Sequence, residues 1–146
     1  MYGSGFDWKN PSPEKITELF RKSKTIAVVG LSAKPERPSH GVSKYLQDHG
    51  YKIVPVNPNE TEILGEKVFS DLASIPDIDD VDIVNIFRRP EEVPGIIDSA
   101  IDLGVKAIWM QENVISIPAF KAGELAGVFM VMDRCMFKEH IRLIGK

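Results

Sequence analysis

The sequence has a single cysteine, Cys135, among 146 residues, so the chain cannot form an internal disulfide. It also has no apolar run near the roughly 20 residues that a membrane-spanning helix requires. The first residues, MYGSGFDW, lack the basic start and the apolar stretch of a secretory signal peptide. These absences give no support to secretion or to membrane insertion, and we expect a cytoplasmic protein.

An excess of positive charge is also missing, because the formal net charge is −3. A chain of this charge has no general attraction to nucleic acids or anionic lipids, and we expect neither as a partner. An anionic ligand would need a local site built from cations and backbone amides. The length fits one domain over residues 1–146, with residues 1–23 as an N-terminal segment and helix packed on it.

Short apolar runs alternate with helical patterns along the chain. This alternation predicts an α/β fold, a three-layer Rossmann-like, doubly wound parallel sheet with about five main strands. In such a sheet, ligands bind at the carboxyl ends of the strands. Serines at positions 12 and 39 are the expected N-caps of the first two helices. The predicted strands cover residues 25–30, 51–56, 81–87, 106–110 and 128–132, and the predicted helices 13–24, 39–49, 91–103, 118–126 and 136–144.

The loop after the first strand has the strongest pattern. Gly30 permits a tight turn, Lys34 and Arg37 supply positive charge, and Ser32 and Ser39 supply hydroxyl groups. The next helix would direct its positive dipole end at an anion held there. From residue types alone, an anion site and an ordinary loop with solvated charges remain equally open.

This loop does not match the dinucleotide fingerprint G-x-G-x-x-G. Counted from Gly30, the second and third glycines are replaced by Ser32 and Pro35. The acidic residue expected after the second strand is replaced by Asn57 and Pro58. These departures disfavour NAD as the ligand.

Candidate ligand contacts also follow the third strand. Phe87 could pack on a base or a pantetheine arm, and Arg88 could face a phosphate. In the alternative reading, Phe87 is a core residue and the arginines, Arg88 and Arg89, pair with Glu91 and Glu92 in the following turn.

After the fourth strand, Trp109 and Gln111 could border the same crevice. The alternative for Trp109 is a place in the hydrophobic core, which buried tryptophans usually occupy.

Five segments of the chain together resemble a known family, the stand-alone CoA-binding proteins. That family is similar to the CoA-binding domain of the succinyl-CoA synthetase alpha subunit and of ADP-forming acyl-CoA synthetases. The resemblance runs from about residue 20 to the C-terminus, and Asn113 departs from it where many relatives have glycine. The five segments are GLSAKPERPS (30–39), VPVNP (54–58), VNIFRRP (84–90), IWMQ (108–111) and VMDRC (131–135).

The resemblance implies a site for coenzyme A or an acyl-CoA, bound without catalysis by this chain alone. An NAD(P)-binding redox domain or oxidoreductase on the same fold is the alternative. By the resemblance, Gly30, Ser32, Arg37 and Ser39 contact the phosphates, Asn57 and Pro58 lie beside the ligand, Phe87 and Arg88 form a wall, and Trp109 and Gln111 border the pantetheine. Ala33, Lys34, Pro35 and Val42 complete the expected set of ligand-binding residues.

No set of histidine, cysteine and acidic residues has the spacing of a zinc site or a catalytic group. Cys135 stands where the last strand meets the last helix, so a reactive thiol and a packed, inert cysteine are both open. His49 is expected to end a helix. A separate protein partner or a second copy of the chain remains open.

Overall fold

The structure is a computed structural model that describes residues 8–145. Its centre is a parallel sheet of five strands in the order β2-β1-β5-β6-β7, beside a two-stranded antiparallel hairpin, β3-β4. The apolar runs form the main strands because their side chains are buried on both faces of the sheet. The strands are β1 Thr25–Val29, β2 Lys52–Val56, β3 Glu62–Ile63, β4 Glu66–Lys67, β5 Ile83–Ile86, β6 Ala107–Met110 and β7 Phe129–Val131.

Helices cover both faces of the sheet, which confirms the predicted three-layer α/β architecture. One face packs against α1, α2 and α5, and the other packs against α3 and α4. Short 3-10 turns cover Leu72–Ser74, Ile78–Asp80 and Pro90–Glu92. The helices are α1 Pro13–Lys22, α2 Pro38–Asp48, α3 Val93–Asp102, α4 Ile117–Leu125 and α5 Met136–Leu143.

Beyond β2, a single residue continues the sheet. Phe69 forms a parallel bridge with Val56. Its N–H donates to the carbonyl of Pro55 at 3.0 Å, and its carbonyl accepts from the N–H of Asn57 at 2.9 Å. With Phe69 counted as a rudimentary strand, the sheet has the 3-2-1-4-5-6 order of the Rossmann fold.

Two helix starts were expected to have serine caps, and one expectation is wrong. The Ser12 hydroxyl accepts the Lys15 N–H at 3.3 Å, which caps α1. Ser39 does not cap α2, whose N-cap is Arg37 and whose first residue is Pro38. Proline has no N–H to leave unpaired and its fixed φ suits the first helical position, so the helix begins earlier than expected.

Residues 8–10, which precede α1, lie against the α4 side of the sheet. The Trp8 ring is 5.6 Å from the Phe120 ring, centroid to centroid. The Asn10 amide donates to the Met132 carbonyl at 2.9 Å and accepts the Met132 N–H at 2.8 Å. Asn10 therefore satisfies both backbone groups of Met132, the residue that follows the edge strand β7. Residues 1–7 of the expected packed segment lie outside the described residues.

Within residues 8–145, no helix is both long and apolar enough to cross a membrane.

Candidate functional site

Gly30 determines the backbone path at the carboxyl end of β1. Its φ is +88°, a left-handed conformation that L-residues with a side chain rarely adopt. A Cβ at this position would overlap the carbonyl oxygen of Phe87, at the end of the neighbouring β5. The predicted tight turn is confirmed, and glycine is required there for both reasons.

The backbone of the first loop, residues 30–39, is held by hydrogen bonds to the loop's own serine hydroxyl groups. The Ser39 hydroxyl accepts the Ser32 N–H at 3.0 Å, and the Ser32 hydroxyl accepts the Lys34 N–H at 3.1 Å. The Arg37 N–H donates to the Lys34 carbonyl at 3.0 Å. These bonds hold the backbone while the side chains of Ala33, Lys34, Pro35 and Arg37 stay exposed.

The N-terminus of α2 opens onto this loop without a side-chain cap. Its positive dipole end is therefore directed at the loop, as in anion sites at helix N-termini. At the other end of the crevice, the Gln111 side chain accepts the first N–H of α5, from Met136, at 3.1 Å. Of these two N-termini, that of α5 has its first N–H bonded to a side chain, whereas that of α2 has no side-chain cap.

The end of β5 carries two arginines with different surroundings. The Arg88 side chain, 31% exposed, lies against Gly30, and its Nε is 3.9 Å from an oxygen of Glu92. Arg89 is 76% exposed and donates to Glu92 from Nε at 3.0 Å and from Nη2 at 2.9 Å. The hydrogen bonds to Glu92 raise the pKa of Arg89. For Arg89 the alternative reading, pairing with the next turn, is confirmed.

A cavity of about 560 Å³ opens beside Arg88 on the α3 face of the sheet, and we call it the α3-side cavity. It lies at the ends of β1 and β2, between the segment after Phe69 and the first turns of α3. Its lining is mainly apolar, with two carboxylates and one guanidinium. The lining residues are Val29, Val56, Pro58, Ser70, Asp71, Leu72, Arg88, Glu92, Gly95, Ile96 and Ser99.

Asn57 joins the ends of β1 and β2. Its amide donates to the Leu31 carbonyl at 2.9 Å, and its side-chain oxygen accepts the Asn59 N–H at 2.8 Å. Asn57 therefore holds the backbone that separates the first loop from the cavity. Pro58 lines the cavity itself. Phe87 is half-buried and packs against the core on the α2 face.

The structure brings most of the expected residues to the crevice but places four of them below its surface. Trp109 has no exposed surface, stacks 5.4 Å from Phe20 and donates from Nε1 to the Arg134 carbonyl at 2.8 Å. Trp109 therefore takes the alternative place given above, in the hydrophobic core, because Phe20 of α1 covers its ring; its role beside a ligand stays a prediction. Val42, Ser39 and Gln111 are also buried and support the crevice from beneath.

Cys135 is half-buried at the N-cap position of α5 and packs beside the core on the α2 face. Its reactivity stays a prediction.

The histidines next to α5 have structural partners. His140 is buried and its Nδ1 is 2.7 Å from the Tyr45 hydroxyl, and burial and then the charge of His49 lower the pKa of His140. His49 ends α2 as expected, with Nδ1 2.7 Å from the Tyr45 carbonyl. Among residues 8–145, no three histidine, cysteine or acidic side chains are grouped to hold a metal.

The sequence reasoning missed one wall of the cavity, formed by Ser70, Asp71, Glu92, Ile96 and Ser99. A signal was available for part of it. The run Lys67-Val68-Phe69 predicts a short extended piece, and in a parallel sheet the residues that follow a strand stand at the ligand-binding edge. Nothing in the sequence indicates that α3 contributes to the cavity, because Ile96 and Ser99 fit the pattern of an ordinary helix face.

Comparisons with known proteins agree with this geometry. A family model described as a CoA binding domain matches residues 24–141. A solved structure of a hypothetical protein from Pyrococcus horikoshii superposes with a TM-score of 0.87 at 38% identity, covering 96% of this chain and 100% of that one.

Two proteins with similar sequences differ in how much of their own length this chain covers. An uncharacterized protein of Bacillus subtilis is 42% identical over 132 residues, 90% of this chain and 96% of that protein. The alpha subunit of an ADP-forming acetate–CoA ligase of Pyrococcus furiosus is 37% identical over 97 residues, 62% of this chain but only 21% of the subunit. With the family model matching most of its length, this chain belongs to the CoA-binding domain family.

Proposed function

We propose that the chain binds coenzyme A or an acyl-CoA in the crevice at the carboxyl ends of its strands. One observation carries the proposal. Arg88 lines a largely apolar cavity of about 560 Å³ and also lies against Gly30, the start of the loop that leads to the uncapped N-terminus of α2. A ligand with a phosphate chain at one point and a flat, weakly polar group beside it matches this junction, and the ADP part of coenzyme A has both.

The phosphates are assigned to the first loop. The positive end of α2 is directed at it, and the side chains of Lys34 and Arg37 are exposed beside it. Within residues 8–145, neither cation takes part in an ion pair, so both are available to an anion. Arg37 can bind a phosphate through two parallel hydrogen bonds.

The adenosine is assigned to the α3-side cavity. Its volume lies within the roughly 300–1,000 Å³ of small-molecule sites. Val29, Leu72 and Ile96 supply apolar surface for a base, and Ser70 and Ser99 supply hydroxyl groups. The pantetheine arm would then leave the phosphates toward the ends of β5 and β6.

The relatives support coenzyme A as the ligand. The family is described as a CoA binding domain, and one relative is a subunit of an acetate–CoA ligase. Because this chain spans only 21% of that subunit, the resemblance does not imply that the chain catalyses the ligase reaction. We propose a binding module without catalysis of its own, acting as a carrier or beside a separate partner subunit.

Isothermal titration calorimetry with CoA, acetyl-CoA, dephospho-CoA, NAD and NADP tests the proposal. We expect CoA and acetyl-CoA to bind and the nicotinamide dinucleotides to bind more weakly, because Ser32 stands where a dinucleotide loop has glycine. Tighter binding of NAD or NADP than of CoA would contradict the proposal and favour the redox alternative.

A further inference from the structure

The charges at the end of β5 cancel one another in the free protein. Arg88 and Arg89 are followed within one turn by Glu91 and Glu92, two cations and two anions. Of these four side chains, Arg88 and Glu92 line the α3-side cavity. The arginine that faces the proposed phosphate position is thus accompanied by a carboxylate.

Arg89, which does not line the cavity, binds the carboxylate of Glu92. Both its Nε, at 3.0 Å, and its Nη2, at 2.9 Å, donate to Oε2 of Glu92. The other oxygen of Glu92, Oε1, lies 3.9 Å from Nε of Arg88. That distance is too long for a hydrogen bond, so Glu92 attracts Arg88 through charge while the donors of Arg88 stay available.

Arg88 stands where a ligand phosphate would arrive. Its side chain lies against Gly30, the turn that precedes the uncapped N-terminus of α2. Arg88 is 31% exposed and Glu92 36% exposed, so solvent screens their interaction only in part. An anion that reaches Arg88 is therefore attracted by the guanidinium and repelled by Glu92.

We propose that Glu92 is the counter-anion of Arg88 in the ligand-free protein. A ligand phosphate takes its place beside Arg88, while Glu92 stays hydrogen-bonded to Arg89. The inference rests on the proposed function, since the displacing group would be a phosphate of coenzyme A. Glu92 lowers affinity for every anion at Arg88. The repulsion takes away most of the weak affinity of a single phosphate, whereas a diphosphate that also reaches the N-terminus of α2 keeps enough contacts to bind. Glu92 thus sets the selection for diphosphate ligands.

The test uses pyrophosphate and CoA as separate probes, titrated calorimetrically into wild type, Glu92→Gln and Glu91→Gln. Glu91 is the matched control, because it carries the same charge one residue away and lies outside the cavity lining. We expect Glu92→Gln to bind pyrophosphate about three- to tenfold more tightly, and Glu91→Gln to change affinity less than about twofold. Inorganic phosphate should gain measurable binding in Glu92→Gln alone.

A double-variant cycle shows whether Glu92 acts through Arg88. In an Arg88→Met background, the gain from Glu92→Gln should disappear. Equal tightening by Glu91→Gln, weakening by Glu92→Gln, a gain that persists without Arg88, or no pyrophosphate binding by wild type and Glu92→Gln would each overturn the inference. If pyrophosphate behaves as expected but wild type does not bind CoA, the inference stands and the proposed function fails.

Discussion

At the scale of single residues, Gly30 is constrained in two ways. Its positive φ and the nearby Phe87 carbonyl each exclude a side chain. Gly50 follows α2 with φ +97°, and apart from its chain neighbours no residue lies within 4 Å of the point where its Cβ would stand. Gly50 is the matched control because it shares only the first constraint. The comparison therefore separates backbone strain from overlap.

We expect Gly50→Ala to lower the free energy of unfolding by about 1 kcal/mol, the usual range for a left-handed residue with a side chain. Gly30→Ala should cost about 3 kcal/mol or more, because the overlap forces β1 and β5 apart at their ends. Urea denaturation of both variants measures the difference. Equal losses would show that the Phe87 carbonyl moves aside freely.

Arg37 tests the phosphate assignment with a single side chain. Replacing it with glutamine should weaken CoA binding by about 1–2 kcal/mol, the lower part of the range for charge-assisted bonds, because the guanidinium is exposed. Lys44→Gln removes the same charge from an exposed position of α2 that is paired with Asp48, and it should leave the affinity unchanged.

Dephospho-CoA then distinguishes which phosphate Arg37 holds. A loss seen with CoA but not with dephospho-CoA assigns Arg37 to the 3′-phosphate, and equal losses assign it to the pyrophosphate. Unchanged affinity for both ligands would make Arg37 a solvated loop charge.

At the scale of elements, the contact between α2 and α5 contains a titrating group. His140 on α5 is buried against Tyr45 of α2, and burial, with the charge of His49, lowers its pKa in the folded protein. The unfolded chain binds a proton at this imidazole near its ordinary pKa of about 6.5, where the folded protein does not. Stability is therefore complete above that pH and falls as the pH drops through it.

We expect the unfolding free energy of the wild type to decrease between about pH 7.5 and pH 5. His140→Gln removes the titrating group and should flatten this dependence, whatever it does to the absolute stability. His40→Gln, which replaces a histidine outside this cluster, is the control. A wild-type slope that survives in His140→Gln would assign the pH dependence to other groups.

The chain just after the edge strand β7 is held by a side chain, not by a neighbouring strand. Asn10 supplies one donor and one acceptor to Met132, as a neighbouring strand would. Asn10→Ala should lower the unfolding free energy by about 1–2 kcal/mol, because it leaves two part-buried backbone groups unpaired. Lys9→Ala, one residue earlier and exposed, should have little effect in the same denaturation experiment.

At the scale of the whole molecule, ligand binding and folding are linked. A ligand that binds only the folded chain stabilises it by about 2.7 kcal/mol at 100 times its dissociation constant. CoA should therefore raise the unfolding temperature in proportion to the logarithm of its concentration. NAD at the same concentrations should give a smaller shift, and the reverse order would count against the proposed function.

The architecture could be predicted from the sequence alone. Alternating apolar runs and amphipathic segments predicted a parallel α/β sheet, and the structure confirms this fold class, because apolar periodicity is a local property of the chain. Sequence also predicted the tight turn at Gly30 and placed Arg88 at a strand end, because glycine, cations and strand ends can be located from residue types alone. Their role in ligand binding stays a prediction. Local chemistry was misleading at Ser39, where the preceding proline starts the helix earlier.

Which side chains reach the crevice depends on packing in three dimensions. Trp109 and Gln111 stand beside the predicted site in sequence, yet one fills the core and the other holds the start of α5. Conversely, Ser70 and Glu92 enter the cavity from segments that sequence reasoning did not assign to it. The direction in which each side chain points depends on contacts between elements that are distant in the chain. No pattern along the chain records those contacts, so the α3-side cavity became visible only in the fold. The pairing of Arg88 and Arg89 with Glu91 and Glu92 is local and was open from the sequence, but only the structure shows that Arg88 and Glu92 line that cavity.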